Sequence, residues 1–524
     1  MDESFTDSSR IVEHHRDSQM WEDLDLMAQI TALPSPGPSE VPRSTYLGDS
    51  GFMPILRGKN SISLASPTSA VDFSELSLPP PYLQAGFLDT FVEYYFTWCP
   101  ILDGHDGELT SLRSPLLTYA LALAASNVRP PIIHHSSPIE YYRKAKTLFY
   151  SGGEKSPIAA ISAIMLFYWW TSDPPSVFSI DSVWWWTGLA VRIGQEIGLH
   201  REIDSGADPC GDIGPGLRRR IWWTLFARER LTALSQGRPL LINLDDCSVS
   251  KPTVHDFPDP VDLRASIFVS WVAISEIGGH VAEVLTRRNG SHPFPTHLSD
   301  ELIQWVGKTA AHVELDIGRA HTAMFKRDVH QLYLPYFAII SLLHMRKSSG
   351  SIPIAQPSAI LAASCTARLF QDFMIRGSLR FLPHISAWYI CIAILGLFHA
   401  RQINTLARAV DEQLDVLKLA LREMQKNSPT LEETLQRIAK LDEEGRSFNG
   451  ESLEIATALT ETEPVNWKRY FPFVSDQTSP VASILTSEPT NHSNDDFDIT
   501  AGGESTMEQL FRFVDLQSTH TMLF

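Results

Sequence analysis

The hydrophobic pattern from Tyr82 to about Lys468 is that of successive amphipathic helices separated by short breaks. Apolar residues recur three and four positions apart, which places them on one face of an α-helix. Strand-like alternation is scarce, and no hairpin dipeptide flanked by β-branched runs occurs. Self-similarity at a fixed period is also absent, which argues against a helical repeat array. We therefore predict an all-α fold, with one large irregular helical domain at residues 82–475.

Capping residues mark the starts of several helices. Ser137 to Glu140 has the pattern of a capping box with proline at the first helical position, and Ser156 precedes a proline in the same way. Thr430 to Glu433 has the pattern of another capping box. Each of these positions predicts that a helix begins there.

The two ends of the chain have a different composition. Residues 1–81 and 476–524 are rich in polar and acidic residues, and such segments cannot bury enough apolar surface to fold alone. We predict that both are disordered acidic segments. Each contains a short stretch of acidic and bulky apolar residues, Met20 to Met27 and Met507 to Leu516. Either stretch could dock onto a partner's groove; otherwise the first is a solvated helix or unstructured, and the second packs back onto its own domain.

The charge of the chain is unfavourable for nucleic-acid contact. The net charge is −18, with 43 Lys and Arg residues against 61 Asp and Glu residues. This balance opposes approach to a phosphate backbone unless basic residues are segregated. The longest basic run, Arg218 to Arg220, lies inside an aromatic helix pattern rather than in a basic arm.

Cysteine spacing and hydropathy predict an intracellular protein without a metal site. A zinc site is normally built from close cysteine pairs, whereas wide spacing suits free thiols in a reducing compartment. The N-terminus has no secretory signal pattern. The most apolar run, Ile385 to Phe398, is shorter than the roughly 18 to 20 residues of a membrane span, so we predict a buried helix there and no membrane partner. The chain has five cysteines, Cys99, Cys210, Cys247, Cys365 and Cys391.

The most informative stretch runs from residue 181 to residue 257. Its first helix pattern begins at Asp181 or Ser182 and ends at Gly198. Glycine there can adopt the left-handed conformation that lets the last carbonyls of the helix find amide partners. Leu199 can then fold back toward Ile193, so local physics predicts a structural helix end.

A second helix pattern, Leu217 to Leu231, follows a glycine-rich loop and contains the basic triplet. The triplet can be satisfied by aromatic rings, by carboxylates or by carbonyls at a helix end, or it can contact DNA. We favour the structural interpretation. Gly237 to Pro239 then breaks the helix and places Arg238 on a rigid turn, where it can bond to carbonyls or to Asp245 and Asp246.

The order of these motifs resembles the middle homology, or regulatory, domain of fungal binuclear zinc-cluster transcription factors, particularly cutinase-regulator-like and xylanolytic-regulator-like activators. The resemblance spans about Tyr82 to Phe398. It implies an α-helical regulatory domain in a nuclear regulator of metabolic or specialised-metabolite genes. Where the family usually has an Asp-Arg pair, this chain has Glu229 and Arg230, which keeps both charges. The matching positions are Trp184, Gly188, Ala190, Arg192, Gly198, Leu199, His200, Arg201, Arg218, Arg219, Arg220, Trp222, Trp223, Arg230, Gly237, Arg238 and Pro239.

The resemblance does not extend to zinc-dependent DNA binding. The family reads DNA with an N-terminal six-cysteine cluster that holds two zinc ions, and this sequence has no cysteine before Cys99. The cluster has been lost, or the sequence begins downstream of it, or a partner supplies the DNA contact. We therefore expect no zinc cofactor in these residues. The expected partners are other transcription factors or the transcription machinery, in a homo- or heterodimer, together with a small-molecule effector bound between helices.

The alternative function is an all-helical metal-dependent enzyme of the terpene-cyclase type. Such a site needs carboxylates one helical turn apart to share Mg²⁺ ions. Asp245 and Asp246 have no acid one turn further on, and Asp495 to Asp498 lies in the predicted disordered tail. Motifs for zinc proteases, serine hydrolases and nucleotide-binding loops are absent from the sequence. We therefore predict that the chain is not an enzyme and has no catalytic residues.

Overall fold

The computed structural model describes residues 77–102, 114–170, 175–202, 213–287, 294–348, 350–447 and 466–486. The two acidic and apolar stretches, Met20 to Met27 and Met507 to Leu516, lie outside the described residues, as do most of the two segments predicted to be disordered.

Nearly all of the regular structure in the described residues is helical, which confirms the all-α prediction. Two strands of two residues each, β1 (Met345–Arg346) and β2 (Ile354–Ala355), pair antiparallel. The α-helices, in chain order, are α1 Pro81–Tyr94, α2 Pro115–Val128, α3 Pro138–Tyr150, α4 Pro157–Phe167, α5 Val183–Glu196, α6 Pro215–Gln236, α7 Leu263–Arg287, α8 Thr296–Ala310, α9 Arg327–Leu343, α10 Pro357–Ile375, α11 Ser386–Ala400, α12 Ala407–Gln425, α13 Glu432–Ser447 and α14 Pro480–Thr486. Short 3₁₀ helices occupy Leu244–Asp246, Val254–Asp256, Leu379–Phe381, Pro429–Leu431 and Trp467–Tyr470.

A helix begins at each of the three predicted starts, but the third has no capping box at Thr430. Ser137 and Glu140 form the reciprocal capping box before α3, and the Ser156 side chain accepts the amide of Ala159 at the start of α4. α13 begins at Glu432 instead of following a Thr430 cap. The reason is local, because residues 429–431 form a 3₁₀ turn and the Thr430 hydroxyl bonds to that of Ser428.

The helices pack around one continuous hydrophobic core. α2 is buried on nearly every side because α1, α3 and α4 surround it. α10 lies in the same way among α9, α11 and α12. α6 and α7 pack along each other between these two groups, and α7 also contacts α9. α6 therefore runs through the middle of the described body.

The folded body continues past the boundary predicted at residue 475. Val481 and Ala482 of α14 are buried, and α14 contacts α10 and α12. The Ser479 hydroxyl bonds to that of Ser364 on α10 at 2.7 Å. The sequence prediction placed these residues in the tail because only one short apolar turn interrupts a polar composition, and tertiary contacts stabilise that turn.

Two long apolar helices belong to the core. α11 contains the run predicted to be a buried helix, and most of its residues are buried, which confirms that prediction. α7 is long and apolar enough to cross a membrane, but 67% of its most apolar stretch is buried inside the protein. This burial is typical of a core helix in a folded domain.

Candidate functional site

The end of α5 adopts the glycine-dependent geometry predicted from the sequence. Gly198 has a φ of +72°. The Leu199 amide donates to the Gly194 carbonyl at 2.8 Å, and the Gly198 amide donates to the Gln195 carbonyl at 3.0 Å. This pairing is a Schellman motif, which satisfies the last carbonyls of a helix. It leaves the Gly198 carbonyl facing the start of α6.

The three arginines of the basic triplet are bound within the fold. Arg218 donates to the Gly198 carbonyl. Arg219 pairs with Asp256 at 2.6 Å and with Glu202 at 3.2 Å. The Arg220 guanidinium lies 5.3 Å from the centre of the Phe257 ring. The triplet thus holds α5 and the loop after α6 against α6, as the structural interpretation expects.

Glu229 and Arg230 form a buried ion pair further along α6. Their charged atoms are 2.9 Å apart, and the two side chains are 0% and 6% exposed respectively. Glu229 also accepts the Leu241 amide at 2.6 Å, and Arg230 donates to the Ile242 carbonyl at 2.7 Å. A Cβ added to Gly279 of α7 would lie 2.4 Å from Cδ of Arg230, so α7 can approach this pair only because it has glycine there.

The turn at the end of α6 shows one of the two kinds of contact expected for Arg238. Gly237 has a φ of +62°, and the Arg238 amide donates to the Ala233 carbonyl at 3.0 Å. The Arg238 side chain donates to the Pro175 carbonyl at 3.2 Å and lies 5.2 Å from the centre of the Trp184 ring. It bonds to a carbonyl, as predicted, but not to Asp245 or Asp246.

The other signature positions are also packing or surface positions. The Trp222 and Trp223 rings are buried. The ring centre of His200 lies 5.7 Å from that of Trp222, and the His200 carbonyl accepts the amides of Ser248 and Val249. Burial lowers the pKa of His200. Gly188 lies near Leu241, Pro239 follows the turn, and Arg192 is exposed.

A cavity of about 250 Å³ lies beside the second half of α6. Its walls come from α6, α7, α9, α11 and the turn before α13. Pro335, inside α9, removes the amide that would bond to the Gln331 carbonyl, and both residues line the cavity. None of the described residues that line it is acidic.

Arg228 is the only arginine or lysine among the described residues that line the cavity, and no motif in the sequence pointed to it. Its guanidinium lies 4.6 Å from the ring centre of Tyr168, 4.8 Å from that of Trp169 and 5.7 Å from that of Trp271. Within the described part of the chain it forms no ion pair with a carboxylate. Its Nε is buried without a hydrogen-bond partner, and its one hydrogen bond, to the Trp98 carbonyl, is long at 3.5 Å. Burial lowers the pKa of Arg228.

The other polar groups in the cavity are neutral. The hydroxyl of Ser386 is buried and has no hydrogen-bond partner. His384 donates from Nε2 to the Trp169 carbonyl at 3.1 Å, and burial lowers the pKa of His384 to about 4. Burial raises the pKa of Tyr389. Arg228 is therefore the one charged side chain at this wall of the cavity.

The described residues do not fit a zinc cluster. No group of three or more His, Cys, Asp or Glu residues among them could hold a metal ion. Cys99, Cys247, Cys365 and Cys391 are free thiols, and burial raises the pKa of each. Cys210 lies outside the described residues.

Part of the helical domain is similar to a known family of domains. Residues 87–304, which include α5, α6 and Arg228, match the family model described as the fungal specific transcription factor domain. The resemblance predicted from the sequence is therefore confirmed for this part of the chain. No solved structure matches the chain.

The relatives are named as regulators of transcription. Cutinase transcription factor 1 alpha of Fusarium vanettenii is 26% identical over 49% of this chain and 30% of its own length. Cutinase transcription factor 1 beta of the same organism is 28% identical over 57% and 40% of the two chains. The acetamidase regulatory protein of Aspergillus fumigatus is 24% identical over 67% and 47%. The matches thus span less than half the length of these relatives.

Proposed function

We propose that this chain regulates transcription in the nucleus through its helical domain, and that the domain responds to a small molecule bound in the cavity beside α6. The domain match over residues 87–304 carries the first part of the proposal, together with relatives named as transcription factors and regulators. The cavity carries the second part, since a concave, mainly apolar space with a few polar groups is typical of ligand sites.

Contact with DNA is assigned to a partner or to residues outside the helical domain. The net charge of −18 opposes binding to a phosphate backbone. The basic triplet could bind DNA only if it gave up its contacts to Gly198, Asp256 and Phe257. Other transcription factors, the transcription machinery or a second copy of the chain are the partners that this proposal needs, and the helical domain itself is proposed to need no metal.

A role in regulation rather than catalysis agrees with the chemistry of the cavity. Metal-dependent cyclisation of a diphosphate needs several convergent carboxylates, and the described lining of the cavity offers none. Its one charged group, Arg228, can bind an anion, and the histidine in the same lining, His384, is a weak base because burial lowers its pKa to about 4. The purified chain is therefore expected not to turn over an allylic diphosphate in the presence of Mg²⁺.

A reporter assay tests the regulatory function. The full chain is fused to an unrelated DNA-binding domain, and transcription from a reporter with the cognate site is measured. Reporter output is expected to change relative to the DNA-binding domain alone. Deletion of Met20 to Met27 or of Met507 to Leu516 is expected to reduce the change. An unchanged output from a well-expressed fusion would contradict the proposal.

A further inference from the structure

The charge balance of the cavity restricts what can bind there. A buried cation is costly unless it is paired, and three other arginines of α6 bind an oxygen acceptor. Arg218 has a carbonyl, while Arg219 and Arg230 have carboxylates. Arg228 is 5% exposed and has no carboxylate partner among the described residues.

The aromatic rings around Arg228 compensate only part of this cost. Three ring centres lie within 5.7 Å of its guanidinium, and cation–π attraction stabilises a cation near a ring. The guanidinium also has N–H donors in its own plane, which need oxygen acceptors. The Nε donor has none. The rings therefore stabilise the charge in part, and the Nε donor still lacks an acceptor.

The remaining walls indicate the rest of the ligand. Ser386 adds a second buried polar group without a partner. Leu231, Trp271, Ile385 and Trp388 give the cavity a mainly apolar surface. Since an apolar cavity of ~150 Å³ can hold benzene, a volume of about 250 Å³ has room for a small organic molecule. This space suits a small molecule with one polar end and an apolar body.

We propose, on the basis of the function proposed above, that the effector is a small organic monoacid whose carboxylate pairs with Arg228 and whose body lies against the apolar walls. A planar guanidinium and a planar carboxylate match in two parallel hydrogen bonds. A phosphate ester would bring a second negative charge, and the described lining has no second cation to meet it. The single charge of Arg228 therefore favours a carboxylate.

Paired probes of equal shape test this proposal on the purified full chain. Binding of phenylacetate and hexanoate is measured by titration calorimetry and compared with phenylacetamide and hexanamide, which keep the shape but lose the charge. The acids are expected to bind roughly tenfold to a hundredfold more tightly than the amides, as hydrogen bonds to a charged group contribute. Equal binding of acids and amides, or no binding of either acid, overturns the proposal.

Two variants locate the contact. Arg228→Met keeps most of the side-chain volume and is expected to lose the preference for acids while still binding the amides. Arg192→Met removes one exposed arginine charge from α5 and is expected to keep the preference. Retained acid preference in folded Arg228→Met overturns the proposal. If that variant does not fold, Arg228→Lys retains the charge without the planar fork; its acid preference is expected to fall, and an undiminished preference overturns the proposal.

Failure of this inference can be distinguished from failure of the proposed function. Calorimetry needs no DNA and no transcription, so acid binding with a silent reporter contradicts only the regulatory function. An active reporter fusion whose purified chain binds none of the acids contradicts only the assignment of Arg228.

Discussion

α6 uses arginine in two different ways, at its start and at Arg228. In the first half, Arg218 and Arg219 bind a helix-end carbonyl and two carboxylates, which fix α5 and the following loop in place. In the second half, Arg228 faces aromatic rings and a cavity without a carboxylate partner among the described residues. Arg218 and Arg219 bind oxygen acceptors on neighbouring segments and are part of the scaffold. Arg228 borders a cavity and has no carboxylate partner among the described residues, which makes it a candidate for ligand binding.

The largest expected effect on stability comes from buried histidines. A histidine can lose its charge when it is buried, whereas Arg228 cannot. Burial lowers the pKa of His344, His384 and His399 to about 4, below the ordinary value of about 6.5. Below pH 6.5 the unfolded chain takes up protons that the folded chain refuses, so stability falls as the pH drops to 4. The free energy of unfolding should decrease by up to about 1.4 kcal/mol per pH unit for each histidine.

Denaturant unfolding at a series of pH values measures this effect. His399 is the best position for a substitution, because neither of its buried ring nitrogens has a hydrogen-bond partner that the substitution would remove. His399→Leu should flatten the slope between pH 6.5 and 4 by about 1.4 kcal/mol per unit. A slope identical to that of the parent would show that His399 does not remain neutral in the fold.

Next in size is the loss of the buried ion pair on α6. Glu229→Leu leaves Arg230 buried without its carboxylate, and the free energy of unfolding should fall by about 3 to 5 kcal/mol. Glu202→Gln, which removes an exposed partner of Arg219, is the matched control and should cost less than about 1 kcal/mol. Similar losses in the two variants would remove the distinction between buried and exposed pairs.

A smaller loss is expected at the start of α6. Arg218→Met removes the donor that the Gly198 carbonyl accepts and should lower the free energy of unfolding by about 1 to 3 kcal/mol. Chemical denaturation of the variant beside the parent measures the change. A fully stable variant would mean that water replaces the guanidinium at the end of α5.

The smallest effect on stability is expected at Arg228. Arg228→Met should unfold within about 1 kcal/mol of the parent or be more stable, because it replaces a buried charge with an apolar chain of similar size. The same denaturation experiment measures it. A loss as large as that of Glu229→Leu would place Arg228 in the scaffold and end the contrast between Arg228 and the arginines at the start of α6.

The sequence predicted the scaffold better than the cavity. Gly198, Gly237 and the serine caps act through local geometry, so their roles could be inferred from neighbouring residues. For the basic triplet, the sequence indicated the kinds of partner, which are carbonyls, carboxylates and aromatic rings. It did not indicate which residues supply them.

Arg228 could not be predicted from local spacing. It is one of three charged residues in succession, followed by Glu229 and Arg230, and nothing along the chain distinguishes them. Its isolation depends on rings and walls contributed by distant segments, such as Trp271 and Ser386. The only local indication is that Arg228 lies on a helix whose neighbouring positions are almost all buried, one turn before Thr232.

The direct test of the central claim is the side-chain NMR signal of Arg228 in the full chain labelled with ¹⁵N-arginine and assigned with Arg228→Lys. The account predicts that the Nε–H resonance of Arg228 moves when phenylacetate is added and stays in place with phenylacetamide, while the resonances of Arg218 and Arg230 do not move. An Arg228 resonance that is unchanged when phenylacetate is bound would contradict the account.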